Sequence, residues 1–318
     1  MFLLFTSWEE HSWEPGQLQR NKRMCLQTAA STGEGCSKLP GIGEASARHQ
    51  MKARIVSSLI ANFNALLCVP VEASCTITRW LVDDSLNLYD QSKEEYKLAV
   101  SRFKRLTSQL EFKSIITLHQ QANSPVYYSR SPNHYLSIDE SLEQISKLLL
   151  HQYKTQDNVD EFMKTLFLVC ERKAGKMNSI FIKGKPNCGK TWFVDCLAAF
   201  YINVGHVKNF VRGQNFPLND CPNRRILVWN EPSIMPSAFD SVKMLAGGDS
   251  CPAAVKYEGD CVISKTPLIF TSNTDIFGKT QVWTSRILFT EWVQSPFLKD
   301  VHLKPHPRVF ETLFNKFI

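Results

Sequence analysis

Apolar positions along this chain follow two periodicities from about residue 93 onward, one typical of amphipathic helices and one typical of buried strands. Helical spacing, with apolar residues three or four positions apart, occupies residues 96–110, 138–149 and 159–170. Short apolar runs of strand length occupy residues 179–183, 225–229 and 266–273. Because helices that alternate with buried strands are typical of folds with a parallel sheet, the pattern predicts an α/β protein.

The stretch at 96–110 predicts an amphipathic helix with a basic outer face. Its apolar stripe consists of Tyr96, Ala99, Val100, Phe103, Leu106 and Leu110. The basic residues that fall mostly off that stripe are Lys97, Arg102, Lys104 and Arg105. Such a face is usually solvated, and contact with nucleic acid is the second interpretation. Residues 112–122 are a candidate for a further helix.

Start and stop signals define the next two helices. Ser137 followed by Glu140 fits a capping box, in which each side chain bonds the backbone N–H of the other residue. Asp157 and Asn158 mark a second start, and the stripe that follows them runs on to Gly175, a residue type that commonly ends helices. Two helices joined by a short link predict a small helical layer, or collar, in front of the first strand.

The first part of the chain differs from the rest in its periodicity and composition. Residues 1–75 lack sustained periodicity, and residues 28–50 are rich in Ser, Gly, Ala and Thr, which is typical of loops or disorder. The predicted organisation is therefore a poorly structured or divergent N-terminal segment at 1–75, a helical linker region at 76–135, the helical collar at 136–176 and an α/β core at 177–318.

Composition limits the class of protein. The 318 residues are 43% hydrophobic and 21% charged, so the chain can bury a sizeable core. A net charge of +7 permits a polyanionic partner without requiring one. The ten cysteines form no C-x-x-C pair, so a zinc site is unsupported and reduced thiols are expected. No apolar run reaches the ~18 residues of a membrane span, and residues 1–5 are too short for a signal peptide. We therefore expect a soluble, intracellular protein with no membrane partner.

The most specific local motif is a phosphate-binding loop. It reads Gly184, Lys185, Pro186, Asn187, Cys188, Gly189, Lys190 and Thr191, which matches G-x-x-x-x-G-K-[ST]. A predicted strand precedes it, and a predicted helix over 192–201, ending near Gly205, follows it. The two glycines let backbone N–H groups point at phosphate oxygens. Lys190 would lie between the β- and γ-phosphates, and the Thr191 hydroxyl would ligate Mg²⁺.

Hydrolysis also needs an acid near the metal and the attacking water. The predicted strand at 225–229 is followed by Asn230, Glu231 and Pro232. An acid at the carboxyl end of such a strand faces the ligand crevice of an open α/β sheet. Glu231 is therefore the candidate for water activation and for the metal shell, whereas Asn230 cannot act as a base. Asn273, at the end of the third predicted strand, is a candidate to sense nucleotide or orient water.

These motifs, in this order, resemble the superfamily 3 helicase domain in the large non-structural replication protein of parvoviruses. The set consists of residues 184–191, 215–220, 226–231, 247–248 and 267–273. The sequence Trp-Asn-Glu-Pro at 229–232 is most similar to the densovirus branch. The resemblance is dense over 137–298 and implies an AAA+-like P-loop ATPase core that uses ATP to move along single-stranded DNA. It further implies a homo-oligomer, a hexameric ring, that works in the host nucleus.

The resemblance also implies further residue roles. A β-hairpin predicted at 254–265 would point into the ring channel, where Lys256 would contact a phosphate and Tyr257 would stack on a base or sugar. Lys265 is a second candidate for DNA contact, although a solvated hairpin explains both lysines equally well without the family. Arg286 matches the position of an arginine finger, which reaches the γ-phosphate of a neighbouring subunit.

The chain departs from the family where a nickase is concerned. The family's full protein begins with an endonuclease domain built on a His-hydrophobic-His metal pair, and no His-x-His occurs in these 318 residues. We therefore expect a helicase motor without its nickase, as a fragment, a spliced product or a copy captured in a host genome. The alternative is a non-enzymatic remnant that binds nucleotide or DNA, or oligomerises, without unwinding. A different P-loop NTPase is a third option.

Overall fold

Helices and short strands alternate over the residues that a computed structural model describes, namely 42–123, 125–127, 134–256, 259 and 261–318. The helices are α1 (Ile42–Leu66), α2 (Thr78–Leu81), α3 (Glu94–Ser108), α4 (Phe112–Gln121), α5 (Ile138–Tyr153), α6 (Gln156–Cys170), α7 (Lys190–Phe200), α8 (Phe239–Gly247), α9 (Gln281–Thr284) and α10 (Val309–Asn315). The strands are β1 (Cys68–Val69), β2 (Val126–Tyr127), β3 (Ser179–Gly184), β4 (Val204–His206), β5 (Ile226–Asn230), β6 (Cys251–Ala253), β7 (Cys261–Ile263), β8 (Leu268–Ser272) and β9 (Ile287–Trp292).

One parallel sheet carries the α/β core. Its strand order is β4-β5-β8-β3-β9, and every neighbouring pair is parallel. In the register of β3, Ser179 pairs with both Leu268 and Ile287, so these three strands begin at the same edge. Their carboxyl ends consequently meet at the opposite edge, and the phosphate loop follows the end of β3. This arrangement confirms the predicted fold class, an α/β P-loop NTPase core.

Most predicted elements are present, with some differences at their ends. The capping box of Ser137 and Glu140 forms at the start of α5, where the Ser137 side chain accepts from the Glu140 N–H. In α3 the buried stripe passes through Thr107, and Leu106, predicted to be buried, is 53% exposed. The predicted stop near Gly205 is wrong, because α7 ends at Phe200 and Gly205 lies within β4.

The largest difference concerns residues 1–75, for which little structure was expected. Residues 42–66 form helix α1, which is 25 residues long. Its side chains Val56, Leu59 and Phe63 are buried in the hydrophobic core, where the Phe63 ring stacks on Trp80 at 5.7 Å between centroids. The chain divides into two units, residues 1–49 and 50–318, and of the first only residues 42–49 are described, as the start of α1.

A buried ion pair ties the helical collar to the sheet. Arg225, at the start of β5, and Glu171, at the end of α6, have side chains only 2% and 3% exposed and lie 2.5 Å apart. Glu171 also accepts from the Phe112 N–H and the Tyr201 hydroxyl, and Arg225 donates to the carbonyl of Cys170. A buried pair with every partner satisfied holds these elements in one arrangement, because loss of either charge would leave the other unpaired. No helix among the described residues has the length and apolarity needed to cross a bilayer.

A buried histidine joins α4 to α7 and is held neutral. The Nε2 of His119 lies 2.8 Å from the carbonyl of Phe200, and its Nδ1 lies 2.8 Å from the Tyr127 hydroxyl. Because a carbonyl only accepts, Nε2 carries the proton and Nδ1 accepts from Tyr127. Burial lowers the pKa of His119 to about 4, below the 6.5 of an exposed histidine.

This shift predicts a loss of stability in acid. The unfolded chain binds a proton at His119 near pH 6.5, whereas the folded chain binds it only near pH 4. The stabilisation that neutral His119 gives the fold is therefore complete above pH 6.5 and falls as the pH drops from 6.5 to 4. We expect His119→Gln to remove about 2–3 kcal/mol of this pH dependence. The check is the free energy of unfolding by urea between pH 7 and pH 4, with exposed His302→Gln as control. An identical pH profile for wild type and His119→Gln would contradict the prediction.

Candidate nucleotide-binding site

The phosphate loop connects β3 to α7 in a conformation that its glycines permit. Gly189 has φ 89° and Asn187 has φ 66°, both in the left-handed region. A Cβ at Gly184 would lie 2.6 Å from the carbonyl oxygen of Trp292, and one at Gly189 would lie 2.7 Å from Leu298. Side chains at either glycine would therefore displace the neighbouring backbone or core, so both positions require glycine.

Lys190, the first residue of α7, points into the site and is only 7% exposed. Its Nζ donates to the carbonyl of Gly184 at 2.7 Å and to Oδ1 of Asn273 at 2.8 Å. The lysine of the loop and the amide at the end of β8 are thereby brought together, although 83 residues separate them. An ammonium held by two neutral oxygens keeps its charge available to an anion.

Glu231 follows β5 directly and has a left-handed backbone, with φ 45°. Its N–H donates to the Thr271 carbonyl at 2.8 Å, which fixes this uncommon conformation. Its Oε2 accepts from the Asn273 N–H at 3.1 Å and from the Ser272 hydroxyl at 3.3 Å. Glu231 and Lys190 therefore both hydrogen-bond Asn273, the carboxylate through its backbone N–H and the ammonium through its side-chain oxygen.

A cavity of about 410 Å³ surrounds these groups. Its lining comprises Pro186, Asn187, Cys188, Gly189, Lys190, Thr191, Trp192, Glu231, Asn273, Ser295, Leu298 and Lys299. The Thr191 side chain is exposed at this cavity, and the Glu231 carboxylate faces the same space. One hydroxyl and one carboxylate suit Mg²⁺ carried by nucleotide phosphates, since this ion prefers oxygen ligands and keeps several waters. Lys185 is exposed, and the buried Cys188 packs its Sγ against Gly184.

Lys256 and Lys265, two of the three residues predicted to contact DNA, do not line this cavity. Strands β6 and β7 form an antiparallel hairpin, but β6 lies before the predicted range of 254–265, so that Lys256 lies exposed in the connection and not in a strand. The Lys256 N–H donates to Oδ1 of Asn219 at 2.9 Å, so the 215–220 segment supports the hairpin. Tyr257 lies outside the described residues. Lys265 lies at the base of the hairpin, and its Nζ donates to the Gly175 carbonyl at 2.7 Å.

Arg286 lies at the opposite edge of the sheet from the phosphate loop. It immediately precedes β9, whose first residue, Ile287, pairs with the first residue of β3, whereas the loop follows the last. At ~3.3 Å per residue, the length of β3 places Arg286 roughly 17 Å from its own loop. Its Nη1 donates to the Val282 carbonyl at 2.7 Å, and its buried Nε has no hydrogen-bond partner among the residues that the structure describes. The guanidinium therefore cannot serve the cavity of its own chain.

Sequence reasoning missed the wall of the cavity that faces the collar. Trp192, Ser295, Leu298 and Lys299 line it, and Gln152 of α5 bonds the segment that bears Ser295. Ser295 and Gln152 are separated from the motif by about a hundred and about forty residues. No local spacing connects them to it, so only the fold reveals these contacts.

The parallel sheet, the loop between β3 and α7, and the Lys190–Asn273–Glu231 contacts define a P-loop NTPase of the α/β class. The family model described as "Parvovirus non-structural protein NS1" matches residues 76–295, more than half of the chain. The chain therefore belongs to the parvovirus non-structural protein NS1 family.

Two densovirus relatives agree with this assignment. The "Initiator protein NS1" of Bombyx mori densovirus is 35% identical over 195 residues, which cover 58% of this chain and 22% of the relative. That of Junonia coenia densovirus is 31% identical over 258 residues, which cover 78% of this chain and 47% of the relative. The chain thus spans half or less of the length of these curated relatives. A crystal structure of JCV helicase is 12% identical, with a TM-score of 0.49, covering 74% of this chain and 72% of that one.

Proposed function

We propose that this chain is the ATP-driven DNA helicase motor of a parvovirus-type replication initiator. The observation that carries the proposal is the meeting of Lys190, Asn273 and Glu231 at one edge of the sheet. Lys190 would bind the β- and γ-phosphates, and Thr191 would hold Mg²⁺ with help from Glu231. Family membership supports the same conclusion, because both densovirus relatives are named initiator proteins.

In this proposal the hydrolytic step uses groups of this chain in fixed roles. Glu231 takes a proton from the attacking water, and its contact with the Asn273 N–H orients the carboxylate toward it. Asn273, bonded to Lys190, registers whether the γ-phosphate occupies the position beside the ammonium. Bound Mg²⁺ would neutralise the charge that develops on the phosphate oxygens.

The proposal extends to assembly and partners. Arg286 lies too far from its own loop to act there, which favours action on the nucleotide of a neighbouring copy in a hexameric ring. Lys256, exposed on the hairpin, with Tyr257 and Lys265 as further candidates, would contact the backbone of single-stranded DNA. The host nucleus, where a viral DNA template would be copied, is the proposed place of action.

The experiment that tests the motor is steady-state ATP hydrolysis with and without single-stranded DNA. We expect Lys190→Ala to lower the rate on the order of 10²-fold or more, because it removes a cation that stabilises the transferring phosphate. Lys113→Ala removes an exposed lysine of α4 that does not line the cavity, and this control is expected to retain the wild-type rate.

The two outcomes separate the proposal from its alternative. Equal rates for wild type and Lys190→Ala would refute an ATPase at this site. Wild type that binds ATP without hydrolysing it, in the presence and absence of DNA, would favour the non-enzymatic alternative, a remnant that binds nucleotide without unwinding.

A further inference from the structure

Three successive carbonyls of the phosphate loop accept hydrogen bonds from one segment that follows β9, residues 293–295. The Pro186 carbonyl accepts from Nε2 of Gln294 at 3.3 Å, and the Asn187 carbonyl accepts from the Ser295 N–H at 3.0 Å. The Cys188 carbonyl accepts from the Ser295 hydroxyl at 3.3 Å. Because the C=O and N–H of a trans peptide point in opposite directions, these bonds turn three successive loop N–H groups away from the segment. That is the orientation a phosphate-binding loop needs.

One side chain of the collar, that of Gln152, hydrogen-bonds both this segment and the loop. Nε2 of Gln152 lies 2.9 Å from the Val293 carbonyl and 2.9 Å from the Ser295 hydroxyl. It also lies 3.3 Å from the Cys188 carbonyl of the loop itself. Its Oε1 accepts from the Val293 N–H at 2.7 Å. Both ends of the Gln152 amide are therefore in use, and an amide is the group that supplies donors and an acceptor here.

The surroundings of Gln152 hold it in place. It is the penultimate residue of α5, and the last residue, Tyr153, bonds Thr290 and Trp292 of β9 through its hydroxyl. One turn earlier, Leu148 of the same helix lies against Gly189. The end of α5 thus contacts β9, the segment after it and the loop together.

We propose that Gln152 is a positioning residue for ATP: it fixes the phosphate loop in its anion-binding conformation and makes the helical collar part of the nucleotide site. Gln152 need not touch the nucleotide, because it acts through the Cys188 carbonyl and Ser295. The inference rests on the proposed function, in that the loop is taken to bind ATP. It adds a residue outside the phosphate-loop motif whose loss would loosen the loop without removing any group that contacts phosphate.

The test is equilibrium binding of Mg-ATP to the full chain by calorimetry. We expect Gln152→Leu to weaken ATP binding about tenfold, since it removes every hydrogen bond that Gln152 donates to the loop and to the segment. Gln152→Glu keeps an acceptor for Val293 and loses the donors, so at pH 8 it is expected to be as weak. Its affinity is expected to recover in part toward pH 5, because a glutamate carboxyl ordinarily titrates near pH 4.3 and its protonated form regains one donor. Wild type has no carboxyl at position 152, so this recovery is expected only in the variant.

The matched control is the adjacent residue. His151 bonds the Gln294 carbonyl at 2.9 Å and packs on Phe297, but no bond from it to the loop is seen among the described residues. His151→Ala is expected to bind ATP within twofold of wild type. Equal losses in His151→Ala and Gln152→Leu, or ATP binding by Gln152→Leu within twofold of wild type, would overturn the inference and leave the proposed function intact. Wild type that binds no ATP would overturn both the inference and the proposed function. If Gln152→Leu does not fold, the pH response of ATP binding by Gln152→Glu tests the inference in its place.

Discussion

Replacing Arg286 by alanine is expected to lower ATP hydrolysis about 10³-fold or more while ATP binding stays close to wild type. An arginine that reaches the γ-phosphate stabilises charge that develops in the transition state, and such residues contribute 10³–10⁵ in rate. Arg286 lies roughly 17 Å from its own loop by the length of β3, so its effect requires a second copy. Single-turnover hydrolysis and nucleotide binding, measured on the same preparation, separate the two quantities.

Mixing two inactive variants provides the decisive control. A Lys190→Ala subunit keeps its Arg286, and an Arg286→Ala subunit keeps its cavity, so mixed assemblies contain some complete sites. We expect the mixture to regain activity that neither variant has alone. Arg286→Lys is expected to stay inactive, because an ammonium does not reproduce the planar, forked donors of a guanidinium. A mixture as inactive as its components would contradict action on a neighbouring copy.

Replacing Glu231 by glutamine is expected to lower kcat by about 10²–10⁴, the range that a general base contributes. Glutamine keeps an oxygen for the Asn273 N–H and the Ser272 hydroxyl, so the fold and the affinity for ATP should change little. Only the ability to accept a proton from water is lost. Rapid-quench hydrolysis at saturating ATP measures the rate, and a binding titration verifies the occupancy.

Asn230 supplies the matched control for this change. Its Oδ1 accepts from the Thr271 hydroxyl at 2.6 Å, one residue before the carboxylate and on the same strand end. Asn230→Ala removes that bond without touching an acid, and we expect less than a tenfold loss in kcat. If Glu231→Gln retained a rate within a few-fold of wild type, the base would have to be another group.

The phosphate loop consists of consecutive residues, which is why a local motif in the sequence predicts it. Gly184, Gly189 and Lys190 lie within seven positions, and the strand and helix around them follow from apolar runs. Glu231 and Asn273 are predictable as strand ends, since parallel strands place their carboxyl ends at one edge. Their direct contact through the Asn273 N–H depends on β5 and β8 being neighbours, which the pattern alone does not determine.

The remainder depends on contacts between distant segments. Gln152 reaches residues that follow it by 36 to 143 positions, and nothing in its local sequence distinguishes it from a solvated glutamine. Arg225 reads as the start of an apolar strand, yet it is buried against Glu171. Helix α1 was missed because its apolar positions, about as many as its other positions, do not follow one helical face, while tertiary packing buries Phe63.

Strand β9 connects Arg286 to the segment that hydrogen-bonds the phosphate loop. Arg286 precedes its amino end, and the Arg286 carbonyl accepts from the N–H groups of Asn178 and Ser179. Its carboxyl end, Trp292, lies against Gly184 and leads into that segment. Strand β9 is the edge strand of the sheet, and its pairing with β3 runs over its whole length, from Ile287 to Trp292. We expect a strand bonded in this way to move as one rigid element. A shift of the loop on loss of phosphate would therefore displace Arg286, which we propose acts on a neighbouring subunit. In the proposed ring, where head-to-tail contacts all have the same sense, the loss of phosphate at one site would then affect the following sites in one rotational direction.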